Sequence, residues 1–184
     1  SDIKEYLKCY ENQVLEDWYE LIRHISVSET GEGIETCCDW IQKKMEEIGI
    51  QVTKYSVKPA PVLVGRFGND PEKKTVLIYA HYDVKPAGER KLWHSDPFVP
   101  TVRDGKVYAR GSADNKSPLM AHLKALEYFI RRKMEVPVNV IFVFEGDEEC
   151  GSRGLEEFLA EHRTELAADL VFFSDGPKDP SGLP

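Results

Sequence analysis

Thr75-Val76-Leu77-Ile78-Tyr79-Ala80-His81-Tyr82-Asp83-Val84 is an apolar run that ends in a histidine and an aspartate two residues apart. A run this rich in β-branched and aromatic side chains reads as a strand buried on both faces, at the centre of a mostly parallel sheet. Ligands of such sheets bind beyond the carboxyl ends of the strands. His81 and Asp83 therefore fall where a site belongs, and strand alternation turns both side chains to the same side. The pair reads either as a metal-ligating imidazole whose other ring N–H is taken by the carboxylate, or as a strand-end histidine capped by a nearby acid. The pair alone does not separate the two.

Other stretches end in the same kind of residue. Pro137 to Glu145 reads as a second buried strand, followed by Gly146-Asp147-Glu148-Glu149-Cys150-Gly151-Ser152. Asp169 to Phe173 reads as a third buried strand, running into Ser174-Asp175-Gly176. Asp104-Gly105 is a hairpin-type turn before a short strand, Lys106 to Arg110, which leads into Gly111-Ser112-Ala113-Asp114-Asn115-Lys116-Ser117-Pro118. Ser117 is expected as the N-cap, with Pro118 at the first position of a helix whose stripe is Leu119, Leu123, Leu126, Phe129 and Ile130. Asp114 then stands just ahead of a helix amino terminus, at the sheet edge that carries His81.

The remaining elements read as scaffold. Ile3, Tyr6, Leu7, Tyr10, Val14, Leu15, Trp18, Leu21 and Ile22 form a helical stripe over residues 2 to about 24, with His24 at its end. A second helix carries Trp40, Ile41, Met45 and Ile48 and stops at Gly49. Extended runs at Gln51 to Val57 and Val62 to Phe67 flank Lys58-Pro59-Ala60-Pro61, and a short helix covers Leu155 to His162. Lys85 to Asp104 has no period and reads as a long structured loop in which Trp93 and Phe98 are pinned by burial.

Composition narrows the function. Net charge is −8 with no basic cluster, which argues against a nucleic-acid partner. No apolar segment approaches the ~20 residues a membrane span needs, and Ser1-Asp2-Ile3-Lys4-Glu5 is no signal peptide. Cys9, Cys37, Cys38 and Cys150 have neither disulfide-framework nor zinc-finger spacing, and read as reduced thiols of a cytoplasmic protein. No glycine-rich phosphate loop follows the strand at 75–80, which weighs against a nucleotide-binding domain.

Brought together, His81, Asp114, Glu148, Glu149 and Asp175 would repel one another without a counterion. A divalent cation resolves this, and imidazole with carboxylates but no thiolate suits zinc or manganese. Two ions about 3.5–4 Å apart, sharing a carboxylate and a water, fit so much carboxylate. Consecutive Glu148 and Glu149 diverge, so one ligates while the other takes a proton from the attacking water. That is the equipment of metal-assisted amide hydrolysis.

His81-Tyr82-Asp83-Val84, Trp93-His94-Ser95-Asp96-Pro97-Phe98, Asp104-Gly105, Arg110-Gly111-Ser112-Ala113-Asp114-Asn115-Lys116, Glu145-Gly146-Asp147-Glu148-Glu149 with Gly151-Ser152, and Ser174-Asp175-Gly176 resemble the co-catalytic zinc exopeptidases that include carnosinase, aminoacylase and succinyl-diaminopimelate desuccinylase. Order and spacing agree over about residues 10–180. The resemblance implies an α/β fold with a mostly parallel mixed sheet between helix layers, incomplete here. It implies that His81, Asp114 and Asp175 bind a first zinc, that Asp114 bridges, that Glu149 binds a second zinc, that Asp83 orients His81, and that Glu148 is the general base. Manganese is the alternative metal.

The loop with Trp93 and Phe98, and Val107-Tyr108-Ala109-Arg110-Gly111, look most like the dipeptidase branch, so a small peptide is the expected substrate. The alternatives are an N-acyl amino acid deacylase or desuccinylase and a non-catalytic metal-binding fragment. Asn115 stands where many relatives carry aspartate, and Ser117 where they carry glycine. Cys150 replaces an aliphatic residue and is expected as a small buried hydrophobe. The family takes a further histidine from late in its chain, and an inserted lid carries dimer contacts. His24, His94, His122 and His162 do not match that histidine. Residues 1–184 therefore resemble the amino-terminal part of the catalytic domain without its lid, expected to be incomplete for activity alone, and the complete protein is expected to be a homodimer. The family also implies a cis peptide between Asp114 and Asn115.

Overall fold

The computed structural model describes residues 2–176 and 181. Helices α1 (Asp2–Arg23) and α2 (Ile34–Ile48) precede strands β1 (Gln51–Tyr55), β2 (Val62–Phe67) and β3 (Thr75–His81). A hairpin of β4 (Thr101–Arg103) and β5 (Lys106–Tyr108) follows, then α3 (Ser117–Arg131), β6 (Asn139–Glu145), α4 (Leu155–Glu161) and β7 (Leu170–Phe173). Five strands form a mixed sheet in the order β1-β2-β6-β3-β7. β1, β2 and β6 run antiparallel to their neighbours in turn, whereas β3 lies parallel to both β6 and β7.

Strand alternation sends successive side chains to opposite faces, and each face has its own core. Leu63, Ala80, Phe142 and Phe144 meet Leu21, Cys37, Ile41, Met45, Leu119 and Leu123 from α1, α2 and α3. Val62, Val64, Leu77, Ile141 and Val143 meet Phe158 of α4 and Leu166 on the other face. This gives the expected helix, sheet, helix layering. Each fully buried large apolar side chain contributes roughly 1.5–3 kcal/mol over leaving it exposed. Gly65 lets α2 approach, since a β-carbon there would lie 2.3 Å from Met45 Cε. α2 stops where expected: Gly49 turns left-handed (φ 97°), its N–H reaching Glu46 O and that of Ile50 reaching Met45 O. Partly buried charges tie the three helices, with Asp17 of α1 pairing to Lys44 of α2 (3.1 Å) and to Lys124 of α3.

Four expectations need correction. The sheet centre is β6, buried along its whole length, and β3 stands one place off with Ile78 and Tyr79 only half-buried. β7 is not buried: it pairs on one side only, and Leu170, Val171, Phe172 and Phe173 are all exposed. Ser117 does not cap α3. It is the first helical residue, with Lys116 at the cap position and no side-chain cap, because residues 112–116 already wind into a wide turn. The loop after Asp83 also contains regular structure, a 3-10 turn at Arg90–Leu92 and strand β4, whose hairpin turn uses positive φ at Asp104 (50°) and Gly105 (71°).

Candidate metal centre

β3 delivers His81 at the carboxyl edge of the sheet, fully buried, beside an equally buried Asp83. Nδ1 of the ring lies 3.2 Å from Asp83 Oδ1 and 3.1 Å from the Asp83 carbonyl oxygen. With that nitrogen donating, Nε2 keeps its lone pair. Nε2 faces three carboxylates: Asp114 Oδ1 at 3.0 Å, Asp175 Oδ2 at 3.4 Å and Glu148 Oε2 at 3.6 Å. One ligand atom each from His81, Asp114 and Asp175 falls within 4.8 Å of the others.

Each acid is placed by a different segment. The turn at 112–116 presents Asp114, and it crosses the chain leaving β3 at Gly111, where φ is 75° and a β-carbon would come within 2.2 Å of Val84 Cγ1. The Asp114–Asn115 peptide is cis, as the resemblance implied. Lys116 is buried behind it, and its ammonium donates to Leu21 O (3.1 Å) and His24 O (2.7 Å), carbonyls at the end of α1 that have no intrahelical partner.

Glu148 opens a 3-10 turn, Glu148–Cys150, beyond β6. Asp83 holds this turn as well as the ring, accepting the N–H of Glu148 (3.1 Å) and of Glu149 (3.0 Å). Asp147 clamps the far side with two bonds to the Arg153 guanidinium (2.9 and 2.6 Å), and Glu145 accepts from Tyr79 and Ser152, both at 2.6 Å. Asp175 follows β7, two residues past the last paired position, Phe173.

Glu149 is not brought into the group. Its carboxylate pairs with Lys85 Nζ (2.9 Å), which also donates to the Glu149 carbonyl. Among the described residues His24, His94 and His162 also lie outside the group: His24 packs on Trp40, and His162 pairs with Glu165. Cys150 is half-buried rather than buried, its Sγ 3.5 Å from Ser28 Oγ. All four cysteines are free, as expected. Trp93 is half-buried and tied to Ala87 O.

The charges respond to this arrangement. Burial works against a charged His81 ring, yet the Asp83 carboxylate, with Glu148 and Asp114, overcomes it and raises the imidazole to about 9. Burial opposes the Asp83 charge too, but hydrogen bonds from His81 and Ser28 hold it below the usual carboxylate range. Glu148 is raised by burial and by the carboxylates of Glu149, Asp175 and Asp83, against the pull of His81. One imidazole nitrogen among converging carboxylates, with its second nitrogen engaged behind, fits a divalent cation.

A model of peptidase family M20/M25/M40 matches residues 77–183. The chain belongs to that family. Among M20/M25/M40 relatives, the Cys-Gly metallodipeptidase dug1 of Schizosaccharomyces pombe is 44% identical over 138 residues, covering 72% of this chain and 29% of that protein. The Beta-Ala-His dipeptidase of Mus musculus is 41% identical over 62% of this chain and 24% of its own. A crystal structure of human carnosine dipeptidase 1 superposes with a TM-score of 0.89 at 29% identity, over 94% of this chain and 40% of that one. The M20 family metallo-carboxypeptidase Sso-CP2 from Sulfolobus solfataricus gives 0.87 at 36% identity, over 92% and 38%. The chain thus spans well under half the length of these relatives. No helix among the described residues is long and apolar enough to cross a membrane.

Reading the sequence missed Asn115 and Lys116 as structural parts of the centre. In the sequence Asn115 stands out only as a departure from the family pattern, and a buried lysine leaves no mark in a polar, loop-like stretch.

Proposed function

We propose that this chain carries metal-dependent hydrolysis of the peptide bond in a dipeptide or short peptide. In this reading His81, Asp114 and Asp175 would hold a first ion and Asp114 with Glu149 a second, zinc being the expected metal and manganese the alternative. The observation that carries it is the His81 ring, engaged by Asp83 at Nδ1 and facing Asp114, Asp175 and Glu148 at Nε2. When bound, the ions lower the pKa of a water and polarise the substrate carbonyl.

The chain's own groups do the rest. Asp83 fixes the ring so that Nε2 stays available. Glu148, whose carboxyl is raised by burial and neighbouring acids, takes the proton of the attacking water and passes it to the leaving amine nitrogen. Glu149, which pairs with Lys85 here, would hold the second ion.

The dipeptide is supported by the names of the more similar relatives, Cys-Gly and Beta-Ala-His dipeptidases, whereas a succinyl-diaminopimelate desuccinylase is 35% identical. A cytoplasmic setting, in keeping with four free cysteines, and a homodimer formed through a lid domain belong to the same proposal. The test is amino-acid release from Cys-Gly and β-Ala-His with zinc or manganese present, with bound metal measured alongside. Turnover that falls about 10²–10⁴-fold in Glu148→Gln, with metal retained, is expected. Retained metal without turnover is the outcome of the alternative reading, in which these residues are a metal-binding fragment that does not turn over alone.

A further inference from the structure

We propose that Asn115 and His122 are positioning residues that set the spacing of His81, Asp114 and Asp175, an inference that rests on the metal-centre reading above. The difficulty they solve lies at β7. Its ladder with β3 ends at Tyr79 opposite Phe173, and all four of its residues are exposed, so the sheet itself does not fix the chain at Asp175. Ser174 is held from the side instead. The Asn115 side-chain amide donates to Ser174 O (2.9 Å), and His122 Nε2 lies 2.8 Å from Ser174 Oγ. The His122 ring also stands edge-on to Phe172 at 5.6 Å, so it holds both β7 and the residue that follows it.

The same Asn115 amide reaches β3. Its Oδ1 accepts the backbone N–H of His81 at 3.4 Å, a longer bond than the one to Ser174. Its own peptide bond joins it to Asp114. One side chain, only 1% exposed, therefore touches the segments of His81, Asp114 and Asp175. In this chain the amide supplies a donor and an acceptor on one planar group. An apolar residue in its place leaves the Ser174 carbonyl and the His81 N–H without that partner. Asp175 Oδ2 sits 3.4 Å from His81 Nε2, so a small shift at Ser174 carries the carboxylate out of ligand range.

Partners of this kind typically account for 10–100-fold in metal affinity. The test is cobalt(II) titration of the metal-free 184-residue chain, read by visible absorption and by chelator competition, with circular dichroism confirming the fold. Asn115→Ala and His122→Ala are expected to weaken cobalt about 10–100-fold and to change the band shape. His122→Gln, which keeps a hydrogen-bonding amide for Ser174, is expected to restore most of the affinity. Val140→Ala, a core change remote from these bonds, is expected to lower stability and leave affinity and spectrum intact. Unchanged cobalt binding in both Asn115→Ala and His122→Ala, while Asp175→Ala loses it, would overturn the proposal and spare the metal centre. Absence of binding by the unsubstituted chain, or binding that survives Asp175→Ala, would overturn both.

Discussion

His81 meets ionisable partners through both ring nitrogens, so its charge governs the centre before any metal arrives. Its folded value of about 9 lies above the ~6.5 of an unfolded imidazole. The protonated ring therefore stabilises the metal-free fold fully below about pH 6.5, and that contribution is lost as pH rises through about 9. Urea midpoints of the metal-free chain, compared with those of His81→Asn, should converge between pH 6 and 10; a constant difference would contradict the geometry. Asp83 offers a second test. In Asp83→Asn an amide NH₂ would face either the ring N–H or the backbone N–H groups of Glu148 and Glu149, so metal affinity should fall about 10–100-fold by chelator competition. His81, Asp114 and Asp175 were legible in the sequence because each closes or follows a strand or turn at one sheet edge. The pairing of Glu149 with Lys85 was not, since local sequence does not say which way a turn aims its carboxylate.

At the scale of elements, β6 and β7 look alike as apolar runs and behave as opposites. β6 has a neighbour on each side and helices over both faces, and Phe142 is fully buried. Phe142→Ala should cost about 3–5 kcal/mol of stability, measured by urea unfolding. Leu170 on β7 is 55% exposed, and Leu170→Thr should stay within about 0.5 kcal/mol. Equal losses at the two positions would contradict the assigned strand order. The sequence reading took both runs for buried strands because hydrophobicity records what a segment is able to bury, not whether a neighbour lies over it. Helix limits were better marked: Gly49 ended α2 as expected, since a left-handed C′ residue is a local requirement. The Ser117 cap failed for a tertiary reason, the wide turn that swings Asp114 towards His81.

Over the whole molecule, two cores on opposite faces of one sheet leave its carboxyl edge free for loops, and these bring Asp114 and Asp175 to His81 at the end of β3. The acidic charge of −8 gathers in part at this edge, where His81 answers only some of the nearby carboxylates. A cation at His81, Asp114 and Asp175 is the simplest way to balance them, and it would stabilise the folded chain in proportion to its affinity. The most direct measurement is elemental analysis of the 184-residue chain after zinc loading and dialysis, beside Asp114→Ala. About one or more zinc per folded chain, lost in Asp114→Ala, is the expected result. A folded chain that keeps no zinc, or an Asp114→Ala chain that keeps as much as the unsubstituted one, would contradict the metal centre.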